Sequence, residues 1–167
     1  MPGPIVRTDI VEVYVFRAAP GRTAAAEFLQ LRRAATALLP GTWQPVMGHL
    51  LADERAAAGA LRELGEETGL HAAAIEGFWQ LEEVNAFFLH AREWILLSPG
   101  FAARAPARWE PTLNDEHDAH RWVRRDHADR AFLWPGQRHA VAQIARDILP
   151  PGSEVEPLLR IDPRSAG

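Results

Sequence analysis

The 167-residue chain contains no cysteine. That excludes disulfides, thiolate zinc sites, iron–sulfur clusters and a cysteine nucleophile. Lysine is also missing, and all 18 basic residues are arginine. A Walker-type phosphate loop and a Schiff-base mechanism both need lysine, so neither is available. Arginine without lysine, beside many alanines, fits a GC-biased genome, and composition alone assigns it no role. No apolar run approaches the ~20 residues of a membrane span. The opening Met1-Pro2-Gly3-Pro4 is unlike a signal peptide. Excess positive charge is absent too: the formal net charge is −4, which argues against a nucleic-acid-binding surface. The expectation is a cytoplasmic protein with neither a membrane nor a nucleic-acid partner.

The length suits one domain, and 47% hydrophobic residues supply a core for it. Residues 9–17 set Ile10, Val11, Val13 and Val15 against Glu12 and Tyr14, a strand signal. Pro20-Gly21 marks a turn, and Glu27 to Arg33 reads as a second strand of a hairpin. Pro40-Gly41 is another break. From Glu54 to Thr68 the period becomes helical, with Ala57, Leu61, Leu64 and Thr68 expected to face a core. Asp53 is the candidate N-cap and Gly69 the C-terminal glycine. Gly59 and Gly65 weaken this helix and permit close approach of a neighbour. Residues 75–89 and 92–104 read as longer β segments, and Trp122-Val123 as a short one. Trp134 to Leu149 reads as a second amphipathic helix with Pro135 in its first turn. Strands with two separated helices predict an α/β (α+β) fold over residues 1–149. Residues 150–167 read as a tail, anchored by Leu158, Leu159 and Ile161.

Chemistry concentrates in Gly48 to Leu70. Glu63, Glu66 and Glu67 fall within an arc of about 100° on one helix. Glu63 and Glu67 are like charges four residues apart, and Glu66 and Glu67 sit at the negative end of the helix dipole. A hard divalent cation reverses both penalties, and all-oxygen ligands favour Mg²⁺ or Mn²⁺. Arg62 precedes Glu66 by four residues and is placed to orient it. The plainer reading of such a helix is a solvated acidic face with an Arg salt bridge.

The spacing favours the metal. Gly48, Glu54, Arg62, Glu63, Leu64, Glu66, Glu67, Gly69 and Leu70 fill every fixed position of G-x5-E-x7-R-E-U-x-E-E-x-G-U, with U a bulky aliphatic. Seven fixed identities coincide by chance on the order of 10⁻⁷ to 10⁻⁹ per window. The stretch resembles the Nudix box. Arg55 departs from the Ser or Thr cap that relatives often carry there. The resemblance implies an α/β/α sandwich with a mixed β-sheet and a loop–helix–loop box. It implies hydrolysis of a nucleoside diphosphate linked to another group, with Mg²⁺ as cofactor and Mn²⁺ as a substitute. Glu63, Glu66, Glu67 and the Gly48 carbonyl would hold the metal, and Glu54 would support the loop. Metal ions bridge phosphate oxygens, and water then attacks phosphorus in line.

Resemblance extends over most of residues 8–148, through Thr42 to Gly48, Leu113-Asn114-Asp115-Glu116-His117, Arg121-Trp122-Val123 and Trp134 to Arg138. These segments are similar to the dihydroneopterin triphosphate and nucleoside triphosphate pyrophosphohydrolase branch. By that match Glu116 lies on a loop near the metals, as a further ligand or the general base; otherwise it is an ordinary loop acid. Arg33 would contact substrate phosphate or form a surface salt bridge. Trp43 and Trp134 would stack on a base or pterin, or pack in the core. His117 would bind substrate or steady Glu116; the chain has no H-E-x-x-H zinc motif. Trp79, Trp94, Trp109 and Trp122 read as core or strand residues.

The leading reading is a pyrophosphohydrolase that releases pyrophosphate and a monophosphate from a nucleoside or dihydroneopterin triphosphate. A dinucleoside polyphosphate hydrolase is the nearest alternative. A non-catalytic nucleotide-sensing domain is the more distant one, because the box keeps all its acids. Dimerisation is compatible with the family and undecided by the sequence.

Overall fold

The computed structural model describes residues 3–19 and 21–166. Met1, Pro2 and Pro20, named above, lie outside the described residues. The fold is a mixed β-sheet covered by helices on both faces, with eight strands among the described residues. Strands β1 (Ile5–Arg7) and β2 (Ile10–Arg17) both run parallel to β7 (Trp94–Arg104). The long β6 (Gly77–Leu89) pairs antiparallel along the other edge of β7. On its far side β2 meets β5 (Val46–His49) and the start of β3 (Glu27–Arg33), both antiparallel. β3 then pairs with β4 (Trp43–Gln44) and β8 (His117–Arg124).

Side-chain alternation builds two cores from the same strands. Val11, Val13, Val15, Leu29, Leu31 and Phe78 face helix α1 (Ala56–Thr68) and its Leu64. Tyr14, Phe16, Phe28 and Trp79 face helix α3 (Pro135–Gln143) through Ala140 and Val141. The polar positions of β2 therefore do not mark a solvent face. Glu12 and Tyr14 are each 1% exposed.

Several expectations need adjustment. Helix α1 begins at Ala56, not Glu54, because the Glu54 carboxylate is used instead to bind the Leu51 amide and Arg62. Asp53 is no cap: it has φ 61°, and Arg55 takes the N-cap position without a side-chain hydrogen bond. Gly69 does close the helix in the left-handed conformation at φ 75°. Ala57 and Leu61 are only partly buried; Ala60, Leu64 and Thr68 fill the interior. The short strand around Trp122 is eight residues long, because β3 offers it a full edge. A short helix α2 (Ala128–Ala131) precedes α3, and α3 runs on into a π turn at Ile144–Ile148. The tail is docked. Ile161 N–H donates to Phe78 O at 2.8 Å, and Leu159 and Ile161 pack on opposite cores. Leu158 is no anchor, being 80% exposed on α4 (Glu156–Leu159).

Candidate functional site

The box helix brings its acids to the end of β5. Gly48 pairs with Val11, and its missing side chain makes room for Glu63: a Cβ there would lie 2.0 Å from Glu63 Cδ. Glu63 is nearly buried and Glu67 is 1% exposed, so the three acids are not a solvated face. Only Glu66 keeps a largely exposed side chain.

Arg62 organises one side of this group. It donates to Glu54 through two 2.9 Å bonds, to Glu63 Oε1 at 2.8 Å, to Glu66 Oε2 at 3.2 Å and to the His49 carbonyl at 2.7 Å. The Arg62 guanidinium holds the Glu54 carboxyl down at about 2. Burial outweighs Arg62 at Glu63 and raises that carboxyl above its ordinary value.

Glu67 is different. Both its carboxyl oxygens are buried and neither has a hydrogen-bond partner. Burial first, then the charges of Glu116 and Glu63, pushes this carboxyl up to about 9. The Met47 amide pulls the other way but does not reach hydrogen-bond geometry. Nine-tenths or more of buried polar groups find a partner, so two orphaned oxygens on one acid are a vacancy in the bonding pattern. A cation-binding set of oxygens fits that observation. Among the described residues, no three acids or histidines converge at ligand distance. Arg62 bridges Glu63 and Glu66.

Glu116 stands where the loop enters β8. A register shift at Arg32/Arg33 lets the Ala34 amide bond to Glu116 O at 2.8 Å, fixing the turn. Arg33 Nη1 donates to Glu116 Oε2 at 3.2 Å. Both residues line a cavity of about 210 Å³ that Gly48 and Glu63 also line. Its other walls include Glu12, Gln44, Asn85, Phe87, Trp94 and Trp134.

Two expected contact residues are elsewhere. His117 lies on β8, with its side chain 1% exposed, and does not line the cavity. Its Nδ1 sits 3.3 Å from Asn114 Oδ1, which also accepts from the Glu116 amide at 3.1 Å, and its Nε2 is 3.8 Å from Glu67 Oε2. Burial, then Arg33, lowers this imidazole to about 4, which keeps it neutral at pH 7. Trp43 is also displaced from the cavity, because alternation along β4 sends Gln44 there instead. The Trp43 ring lies under the Arg121 guanidinium at 4.3 Å. Trp134 does line the cavity, 5.0 Å from the Phe87 ring.

Sequence reasoning missed Glu12, Asn85, Phe87 and Trp94. An acid inside a valine-rich strand was the available signal for Glu12. Trp94 reads as a strand residue, which it is, yet it also walls the cavity.

Residues 8–144 match the NUDIX domain family. The chain belongs to the Nudix family. It is therefore a member of the Nudix hydrolase family with the family's α/β fold. Solved structures similar to it include the Caenorhabditis elegans Ap4A hydrolase binary complex, at 18% identity and TM-score 0.68, covering 84% of this chain and 96% of that one. The Escherichia coli dihydroneopterin triphosphate pyrophosphohydrolase is similar at 22% identity and TM-score 0.65, covering 81% and 94%. At those identities the likeness is one of fold. An octanoyltransferase of Myxococcus xanthus is 35% identical over 103 residues, which is 60% of this chain. The match spans 28% of the length of that curated relative. No helix among the described residues is long and apolar enough to cross a membrane.

Proposed function

We propose that this Nudix hydrolase cleaves a nucleoside triphosphate or dihydroneopterin triphosphate into a monophosphate and pyrophosphate. The observation that carries the reading is Glu67: a fully buried acid with two unpartnered oxygens, one helical turn from Glu63, which fills the Gly48 gap and lines the cavity. Structural neutralisation by Arg62 reaches Glu63 and Glu66 but leaves Glu67 unserved.

Glu63, Glu66, Glu67 and the Gly48 carbonyl would hold Mg²⁺, with Glu116 joining from the opposite wall. When bound, the metal neutralises phosphate charge and acidifies water. The protein's own contributions follow from position. Arg62 holds Glu63 and Glu66 in place, and Glu54 anchors Arg62. Arg33 faces the cavity and meets a phosphate oxygen once Glu116 turns away from it. Glu116, or Glu66, accepts the proton of the attacking water. The new bond forms between the water oxygen and phosphorus, and the bridging P–O bond breaks, with its electron pair leaving on pyrophosphate. His117 is neutral and buried behind Glu67, where it positions that acid. Trp134 and Phe87 would cover the ring of the substrate.

A dinucleoside polyphosphate hydrolase is the second reading, favoured by the fold likeness to the C. elegans Ap4A hydrolase. Product analysis by ion-exchange chromatography separates the two. The panel holds NTPs, dNTPs, dihydroneopterin triphosphate and diadenosine tetraphosphate, all with Mg²⁺. Pyrophosphate and a monophosphate from a triphosphate support the proposal. ATP released from the dinucleotide alone replaces it with the second reading.

A further inference from the structure

The cavity is lined by two unlike sets of residues. Gly48, Glu63, Glu116 and Arg33 form one. Glu12, Asn85 and the rings of Phe87, Trp94 and Trp134 form the other, with Glu12 opposite Met47 in the sheet. The hydrolytic chemistry uses only the first.

Glu12 is the anomaly of the second. It is an acid in the middle of β2, next to Val11 and Val13, and it is 1% exposed. Burying a carboxyl in an apolar strand is costly unless its oxygens are partnered. Two partners are present. The Tyr14 hydroxyl donates to Oε2, and Asn85 Nδ2 donates to Oε1 at 2.9 Å. Each carboxylate oxygen accepts about two hydrogen bonds, so one acceptor position remains on each. Both neighbours are donors, and Glu12 lines the cavity; burial raises its carboxyl above the ordinary value, while the Tyr14 and Asn85 bonds pull it down.

The surrounding fold is shaped to keep this arrangement. A register irregularity between Gln80 and Val84 re-aims β6 and sets Asn85 opposite Ser98, another cavity residue. Gly136, in the first turn of α3, leaves space for the Asn85 amide: a Cβ there would lie 2.1 Å from Asn85 Oδ1. The adjacent walls are flat and apolar, with the Phe87 and Trp134 rings tilted by 57° at 5.0 Å.

We infer that this part of the cavity selects a 2-amino-4-oxopyrimidine ring, the ring common to guanine and the pterins, through the carboxylate of Glu12. That ring presents a ring N–H and an adjacent amino group side by side. The two donors match the two free acceptor positions of Glu12. Adenine presents a bare ring nitrogen at the corresponding edge, an acceptor facing an acceptor. Asn85 and Tyr14 are positioning residues that hold the carboxylate. The inference deepens the triphosphate reading and rests on it for the placement of the phosphates beside Gly48.

Isothermal titration calorimetry on the full chain with Mg²⁺ tests it, using the α,β-methylene analogues of GTP, ITP and ATP. The guanosine analogue is expected to bind about tenfold or more tightly than the adenosine analogue. The inosine analogue, which lacks the amino group, falls between them. Glu12→Gln, checked for folding by circular dichroism, brings the guanosine-to-adenosine ratio to within about twofold, because an amide offers one acceptor and one donor. Equal affinity of the wild-type protein for the guanosine and adenosine analogues overturns the inference, whatever Glu12→Gln does. Binding is read separately from product release. Guanosine-selective binding without pyrophosphate release retires the hydrolytic reading and upholds the slot. Pyrophosphate release with no base preference does the reverse.

Discussion

Arg62 grips Glu54 with two hydrogen bonds of 2.9 Å, tying the loop before α1 to the middle of that helix. The pair is largely shielded, and Arg62 holds the Glu54 carboxyl at about 2. Its stabilising contribution is complete above the ordinary carboxyl range and is lost as pH falls through about 2. Glu54→Gln is expected to lower Tm by about 3–10 °C at pH 7. The difference from wild type shrinks toward zero as pH approaches 2. Thermal melts of both proteins across this range check it.

Glu67 gives the opposite pH dependence. Its metal-free carboxyl sits near 9 in the folded chain, well above its unfolded value. The unfolded chain therefore loses this proton first, and stability falls as pH rises from the unfolded value through about 9. In EDTA, Glu67→Gln is expected to be at least as stable as wild type at pH 8 and to lack this part of the slope. With Mg²⁺ the same variant loses turnover by orders of magnitude. Melts in EDTA and a rate assay read the two effects independently.

Gly48→Ala tests the room made for Glu63. A Cβ 2.0 Å from Glu63 Cδ forces that side chain aside. The expected result is a loss of activity of about 10²-fold or more with the strand pairing retained. Kinetics with a Mn²⁺ titration followed by paramagnetic resonance measure it; wild-type metal affinity in the variant removes Gly48 from the site.

Arg33→Ala frees Glu116 from its 3.2 Å partner and removes a positive charge from the cavity wall. KM is expected to rise by about tenfold, with a smaller change in kcat. An unchanged KM would confine Arg33 to a structural ion pair.

Trp134 and Trp43 are expected to behave differently on substitution. Trp134→Ala is expected to raise KM several-fold, because the ring walls the cavity beside Phe87. Trp43→Phe should leave KM within about twofold, because its ring stacks on Arg121 outside the cavity. Steady-state kinetics on both variants decide this.

The box was legible because its fixed spacing is itself geometry: the Gly48 gap, the Arg62 hub and the Gly69 cap all follow from residues at set intervals. The burial of Glu67 was not legible. Helical phase places it beside Glu63, but only the packing of α1 on β5 takes it out of water. The cavity's second set of residues was hidden for a related reason. Asn85, Phe87 and Trp94 come from one hairpin, but Glu12 lies 73 residues before Asn85, and only the sheet register assembles them. Alternation also decided Trp43 against Gln44, and a two-residue strand is too short for its phase to be read beforehand.

Strand β2 lies between β7 on one side and β5 and β3 on the other, and residues 10–16 are buried on both faces. Backbone opening there requires breaking both cores, so its amides are expected to exchange only with global unfolding. Glu12 rides on that strand, whereas Glu116 sits on an exposed turn held by the Ala34 amide, the Asn114 side chain and Arg33. The cavity thus joins an unyielding floor to a pliant rim. On the reading proposed above, ring selection is built into strand β2, and adjustment during turnover falls to the Glu116 turn.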